Sequence, residues 1–294
     1  MDEKQRKERQ TGIGGSDAPA ACGMSPWKTP YQLWCEKRGE TGDSQEDNEP
    51  MFWGRTLEPV IRQRYADVTG KTVTIPKGII RHPKYGWMIA SLDGLTDDPG
   101  VLEIKTSRTP TDWGEPGTNE IPDVYMIQVQ HYLTVTKLSV ADVAVLIGGN
   151  DFRIYEVPED RELQELIMEK EAGFWQMVKD GIPPDVVSYA DVRQRWGKTS
   201  KGVDVVAELN IIAAINRLKE IKELSKEEEQ LKAVIMAYMK EGDRLVNGEN
   251  KVIATWQLDK PSKRLDTKAL KAAEPEIYKQ FLKESEPSRR FLIK

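Results

Sequence analysis

Asp93 lies ten residues before Glu103, and Lys105 follows two residues later. Two adjacent carboxylates repel, so each needs a cation nearby. Hard oxygen ligands suit Mg2+ or Mn2+, typically held by one or two carboxylates plus waters and a substrate phosphate. A cation held this way can polarise a phosphodiester and activate a water for in-line attack. The ammonium of Lys105 would orient that water or offset charge developing on the phosphate. Taken alone, the same residues also describe a strand with a surface Glu and Lys, as in many hairpins.

Local signals supply the elements that must hold these groups. Thr96-Asp97-Asp98-Pro99-Gly100 is almost pure turn chemistry. Residues 87–90 and 101–105 read as flanking strands, so a hairpin should set Asp93 beside Glu103. Strand alternation then puts Glu103 and Lys105 on one face, with Leu102 and Ile104 on the other. Residues 53–65 read as an amphipathic helix with Leu57, Val60, Ile61 and Tyr65 as its apolar stripe. Glu58 lies beside that stripe, where an acid is costly unless it is paired or metal-bound. Residues 124–133 read as a second helix. Gln128 and Tyr132 share a face there, while Gln130 lies roughly 160° around the helix from Gln128.

Four separated signatures carry a resemblance to a known family. They are Gly12-Ile13-Gly14-Gly15-Ser16-Asp17-Ala18 with Ser25-Pro26-Trp27-Lys28-Thr29-Pro30 and Leu33-Trp34; Gly54, Leu57, Glu58 and Pro59; Asp93 with Glu103-Ile104-Lys105; and Gln128-Val129-Gln130-His131-Tyr132. Together they cover roughly residues 9–190, and their order and spacing are specific. The chain resembles the lambda-type phage exonucleases, also called the YqaJ-like viral recombinase family, within the PD-(D/E)xK nuclease fold. One departure is Leu92, where many relatives place a proline before the first acid. The resemblance implies that Asp93 and Glu103 are metal ligands, with the Ile104 carbonyl completing the shell. It implies that Lys105 positions the attacking water and that Glu58 is the supporting helix acid. Arg9, Ser16, Ser91 and one of Gln128 or Gln130 fall where the family binds the 5′-terminal phosphate.

The residues themselves agree with a phosphate site. Gly12 to Ser16 is a glycine-rich turn, and Ser16-Asp17 would cap a short helix over 18–21. Exposed amides at a helix start bind phosphate. An ordinary helix cap is the alternative.

Composition sets outer bounds. At 294 residues the chain holds one large domain, or one plus an appendage. No apolar run approaches membrane-spanning length, and residues 1–10 are too charged for a signal peptide. Cys22 and Cys35 form no C-x-x-C pair, which argues against zinc and suits a reducing cytosol. The two histidines are too few for a His-based metal site, and His131 reads as helix surface. Net charge is −5, yet residues 243–294 hold 12 Lys/Arg against 8 Asp/Glu, which leaves −9 on the rest. Such asymmetry is compatible with DNA and favours loading at ends over binding to duplex sides.

The organisation beyond these motifs is also readable. Residues 41–50 form an acidic polar loop, and 109–120 an irregular loop that directly follows the acid-bearing strand. A helix over 162–179 ends at Gly181. Residues 198–202 read as a linker. A long helical stretch over 205–240 follows, either one rod on the order of 50 Å or a helical hairpin. Asn247-Gly248 signals a β-hairpin within 243–257. Residues 261–294 are basic, with Lys263-Arg264, Arg289-Arg290 and a helix over 275–283.

The expected fold is thus α/β: a PD-(D/E)xK, restriction-endonuclease-like core over 1–197 with a mixed central sheet flanked by helices. A mainly helical C-terminal appendage with a β-hairpin covers 203–294. The expected activity is Mg2+-dependent 5′-to-3′ hydrolysis of double-stranded DNA ends, with Mn2+ substituting, leaving 3′ single strands for phage-type recombination. The resemblance adds a single-strand annealing partner, a possible homo-trimer, no membrane, and the bacterial host cytoplasm as location. Rival readings are a structure-specific endonuclease of the same fold and a non-catalytic DNA-binding or annealing module.

Overall fold

The computed structural model describes residues 3–40, 48–198, 204–259, 263, 265–283 and 288–293. The chain divides into two compact units, Met1–Arg195 and Trp196–Lys294. The first begins with helices α1 (Glu3–Gln10), α2 (Ala18–Ala21), α3 (Pro30–Lys37) and α4 (Glu49–Thr69). Short strands β1 (Val73–Thr74), β2 (Ile80–Arg81), β3 (Ile89–Ala90) and β4 (Gly94–Thr96) precede the long β5 (Gly100–Ser107). Then come α5 (Asp123–Thr136), β6 (Val140–Ile147), β7 (Asp151–Pro158), α6 (Arg161–Asp180) and α7 (Tyr189–Trp196).

Five strands form a mixed sheet in the order β1-β4-β5-β6-β7. β4 and β5 close as an antiparallel hairpin across the 97–99 turn, with Gly94 opposite Leu102. β5 and β6 run parallel, which requires a crossover, and α5 supplies it. The alternation on β5 is realised. Leu102 and Ile104 pack with Ile61 and Tyr65 of α4, while Val101 joins Val129 and Leu133 of α5. Glu103 and Lys105 therefore face α5.

Several expectations change. The strand foreseen over 87–90 shrinks to β3, which pairs with β2 in a separate two-stranded sheet, so β4 is the hairpin partner of β5. Trp87 and Ile89 hydrogen-bond instead to the backbone of Ile13. Val60 is 62 % exposed and lies off the α4 stripe. The 109–120 loop is fastened down: Trp113 is buried in the core, and the amide of Gly117 donates to Ile154 of β7. The α6 helix is capped by Asp160 and ends at Gly181, whose left-handed φ of 69° suits a residue without Cβ.

The second unit holds α8 (Leu209–Met239), β8 (Arg244–Val246), β9 (Val252–Thr255), α9 (Thr267–Ala273) and α10 (Pro275–Gln280). α8 is one continuous 31-residue helix rather than a helical hairpin. β8 and β9 do pair, but Asn247-Gly248 does not make a two-residue turn. Val246 faces Val252, and the Asn247 carboxamide oxygen accepts from the amides of Glu249 and Lys251 across a wider loop. Residues 41–47 of the expected acidic loop, 199–202 of the expected linker and residues 261–262, 264, 284–287 and 294 of the basic stretch lie outside the described residues.

Candidate active site

Asp93 sits in the connection just before β4, and the β4–β5 register carries it to the side of Glu103. Its Oδ2 accepts the amide of Ile104 at 2.8 Å, and its backbone carbonyl accepts Arg62 Nε at 3.0 Å. N–H and C=O of an extended residue face the same edge. Ile104 therefore turns its carbonyl toward Asp93, at the point where β4 has ended.

Glu103 is buried, at 3 % exposure. Its Oε1 accepts Gln128 Nε2 at 2.6 Å and lies 2.5 Å from Lys105 Nζ. Lys105 Nζ also donates to Gln128 Oε1 at 3.0 Å and stands 4.7 Å from the centroid of Tyr125. These partners fix the Gln128 amide, since an ammonium only donates and a carboxylate only accepts. Gln128 Nε2 makes a further hydrogen bond to Tyr132 Oη at 3.0 Å. Burial and the charges of Glu103 and Asp93 raise the Tyr132 phenol, which keeps its proton.

Two observations bear on a cation. Glu103 Oε2 is buried with no hydrogen-bond partner among the described residues. The Asp93 carboxyl is pushed up to about 8, first by burial and then by the charges of Glu103 and Glu58, against the Ile104 amide and Lys105. An oxygen without a donor and an acid whose charge is resisted by other acids both fit a divalent cation. Asp93, Glu103 and the Ile104 carbonyl form a hard oxygen set suited to Mg2+. Glu58 stands apart from that set. It is ion-paired with Arg62 on α4, which also donates to the Asp93 carbonyl, and its charge acts on the Asp93 carboxyl. Among the described residues no three Asp, Glu, His or Cys side chains converge as a metal cluster. Mg2+ usually keeps several waters, so two carboxylates suffice.

A cavity of about 150 Å³ is lined by Arg9, Gly14, Gly15, Ser16, Ser91 and Tyr132, and Tyr132 connects it to Glu103 through Gln128. Arg9 Nη2 donates to Ser16 Oγ at 2.7 Å. A Cβ on Gly15 would meet the Tyr132 ring at 2.3 Å, so only glycine lets the turn approach that ring. Contrary to expectation, α2 offers no capped helix start for a phosphate: it has four residues, and Asp17 makes no side-chain cap. The Asp17 carboxylate turns back to the Gly14 amide at 3.3 Å and to Lys37 Nζ at 2.7 Å. Burial opposes its charge, but Lys37, Arg9 and Lys28 hold it well below the usual carboxylate range. The cavity's polar character rests instead on Arg9, Ser16, Ser91 and the Tyr132 hydroxyl.

Of the two glutamines, only Gln128 joins the site. Gln130 Nε2 donates to Pro158 O at 2.8 Å, and its Oε1 accepts the Asp160 amide at 3.0 Å, pinning α5 to the start of α6. His131 is not on a helix surface. It is fully buried, with Nδ1 2.7 Å from Glu171 Oε1 and Nε2 2.9 Å from Ile89 O. The Ile89 carbonyl only accepts, so Nε2 carries hydrogen, and Nδ1 faces the Glu171 carboxyl. Burial alone lowers the imidazole, but Glu171 and the Ile89 carbonyl hold its pKa above the ordinary value. One signal was present in the sequence: Glu171 stands in line with Ile167, Phe174 and Val178, on the buried side of α6. Tyr132 was marked by its shared helix face with Gln128, whereas Tyr125 and Arg62 carried no sequence signal of their own for this site.

A mixed sheet flanked by helices, with paired acids and a lysine at the end of its central hairpin, defines a protein of the PD-(D/E)xK class. A family model for the YqaJ-like viral recombinase domain matches residues 5–139. The chain is 36% identical over 303 residues to the uncharacterized protein YqaJ of Bacillus subtilis (strain 168), covering 98% of this chain and 92% of that one. Among solved structures it is similar to an alkaline exonuclease, LHK-Exo, from Laribacter hongkongensis. That likeness has 25% identity and a TM-score of 0.50, over 62% of this chain and 94% of the other. A complex of LHK-Exo with dAMP matches to the same extent. The chain belongs to the YqaJ-like viral recombinase family.

Proposed function

We propose that this protein is a Mg2+-dependent exonuclease that degrades double-stranded DNA from 5′ ends. The 3′ single strand it leaves would serve phage-type recombination with a single-strand annealing partner. The observation that carries this reading is the partnerless, buried Glu103 Oε2 beside Asp93, with Lys105 bridged to the same glutamate. The similarity to a bacterial alkaline exonuclease supports it. A divalent cation between Asp93, Glu103 and the Ile104 carbonyl would supply Lewis-acid polarisation and ease deprotonation of water. Lys105, steadied by Gln128, would orient the attacking water and offset negative charge on the phosphate. Arg9, Ser16 and Ser91 would receive the terminal 5′ phosphate, whose charge approaches −2 near neutral pH and exceeds that of an internal diester. A homo-trimer belongs to the same reading and is checked by sedimentation.

The deciding experiment digests an end-labelled blunt duplex in Mg2+, with each 5′ end phosphorylated or not, beside a covalently closed circle. The expected result is loss of nucleotides from phosphorylated 5′ ends with the circle intact. Arg9→Ala should bring the rates on the two kinds of end together. Linearisation of the circle would assign an endonuclease instead, and no hydrolysis of any substrate would leave a binding module.

A further inference from the structure

Trp27 is 70 % exposed, yet its indole is held in place. It stacks on Tyr125, with ring centroids 6.3 Å apart and an interplanar angle of 26°. Tyr125 in turn lies 4.7 Å from Lys105 Nζ and 5.7 Å from the ring of Trp113. Trp113 is buried and packs on Tyr155 at 5.2 Å. The aromatic series therefore rises from the core, passes the lysine of the acid pair and ends in solvent at Trp27. The backbone beneath is also tied, since the amides of Trp27 and Lys28 both donate to Ser25 Oγ at 3.3 Å.

Other large apolar side chains of the first unit are exposed too, Phe52, Trp53 and Tyr189 among them. Among the described residues, Trp27 is the exposed ring tied to Lys105 through Tyr125. A flat apolar surface held open to water beside a phosphodiester-cleaving site has a natural ligand class. Every nucleobase offers a π-face, and aromatic stacking on it is tolerant of sequence. An enzyme that must accept any DNA end needs that tolerance.

We infer that Trp27, backed by Tyr125, is a nucleobase-stacking site that holds a base of the strand being hydrolysed. This rests on the nuclease reading and adds to it a contact that reads base faces rather than phosphates. Stacking there would hold the strand so that its adjoining phosphodiester lies over Asp93 and Glu103. It would also draw the terminal bases away from their duplex partners.

The test places 2-aminopurine, whose emission is quenched by stacking, at each of the first three nucleotides of a 5′-phosphorylated duplex. Complexes form in Ca2+ in place of Mg2+, so that no strand is cut. At one position the Trp27→Ala complex should be at least about twofold brighter than wild type, and KM for duplex ends should rise about tenfold. Trp27→Phe should stay close to wild type on both measures, and both variants should melt with the wild type because the ring is on the surface. If wild type cuts DNA and every position reads the same in all three proteins, the stacking site is wrong and the nuclease reading stands. A fall in oligomer size on Trp27→Ala would assign the ring to a subunit contact and overturn the inference. Failure of wild type to cut DNA would remove the nuclease reading and this inference together.

Discussion

Glu103 divides its two oxygens between opposite tasks: Oε1 is shared by Gln128 and Lys105, and Oε2 has no hydrogen-bond partner among the described residues. Asp93→Ala or Glu103→Gln should lower hydrolysis by at least about 10³-fold, since each removes cation-held charge at the reacting phosphate. Chelation by EDTA should do the same. More than a few per cent residual activity would show that the assignment is mistaken. Lys105→Ala should reduce turnover about 10²- to 10³-fold while DNA binding in Ca2+ is kept. A variant that loses only affinity would make Lys105 a phosphate contact instead. The juxtaposition of Asp93, Glu103 and Lys105 was readable because it needs only a turn and strand alternation. The choice of Gln128 over Gln130 was not readable. Helix geometry says that the two point apart, but only the packing of α5 says which of them meets β5.

α5 is the element that joins the site to the rest of the core, and His131 is its buried fastening to β3 and α6. Glu171 and the Ile89 carbonyl hold the folded imidazole above its unfolded pKa of about 6.5, so the native state binds this proton more tightly. The pair's contribution is therefore complete below about pH 6.5 and is lost as pH rises through the folded value. Melting temperature should decline as pH is raised above about 7, and His131→Gln should flatten that decline while melting lower at pH 6. Parallel pH profiles for the two proteins would show that the pair does not titrate. Element positions were largely legible: periodicity located α4, α5, α6 and α8, and turn residues located the hairpin. Misplacements came where tertiary contact outweighed pattern, as in Asp17, whose carboxylate answers Lys37 and Gly14 instead of capping α2.

At the scale of the whole molecule, charge and topology were unequally visible. The basic excess of residues 243–294 is plain in the sequence, whereas the strand order β1-β4-β5-β6-β7 is not, because β5 pairs with β6 across the whole α5 crossover. If the basic segment contacts DNA phosphates, truncation after Lys240 should weaken binding. It should also flatten the log–log salt dependence by about one for each phosphate that the segment neutralises. An unchanged slope in a folded truncation would direct that segment to a protein partner. The hairpin has a consequence for the order in which the molecule assembles. The Asp93–Ile104 bond closes over 11 residues, whereas Lys105 meets Gln128 only across 23 and through the crossover. Shorter loops close at lower entropic cost and sooner. Refolding should therefore bring the two acids together before the lysine has found its amide, so that an early species already carries the proposed cation ligands but cannot yet turn over. In a stopped-flow refolding experiment, recovery of a Mn2+-binding signal should precede recovery of hydrolysis, and simultaneous recovery would show that hairpin and crossover form in one step.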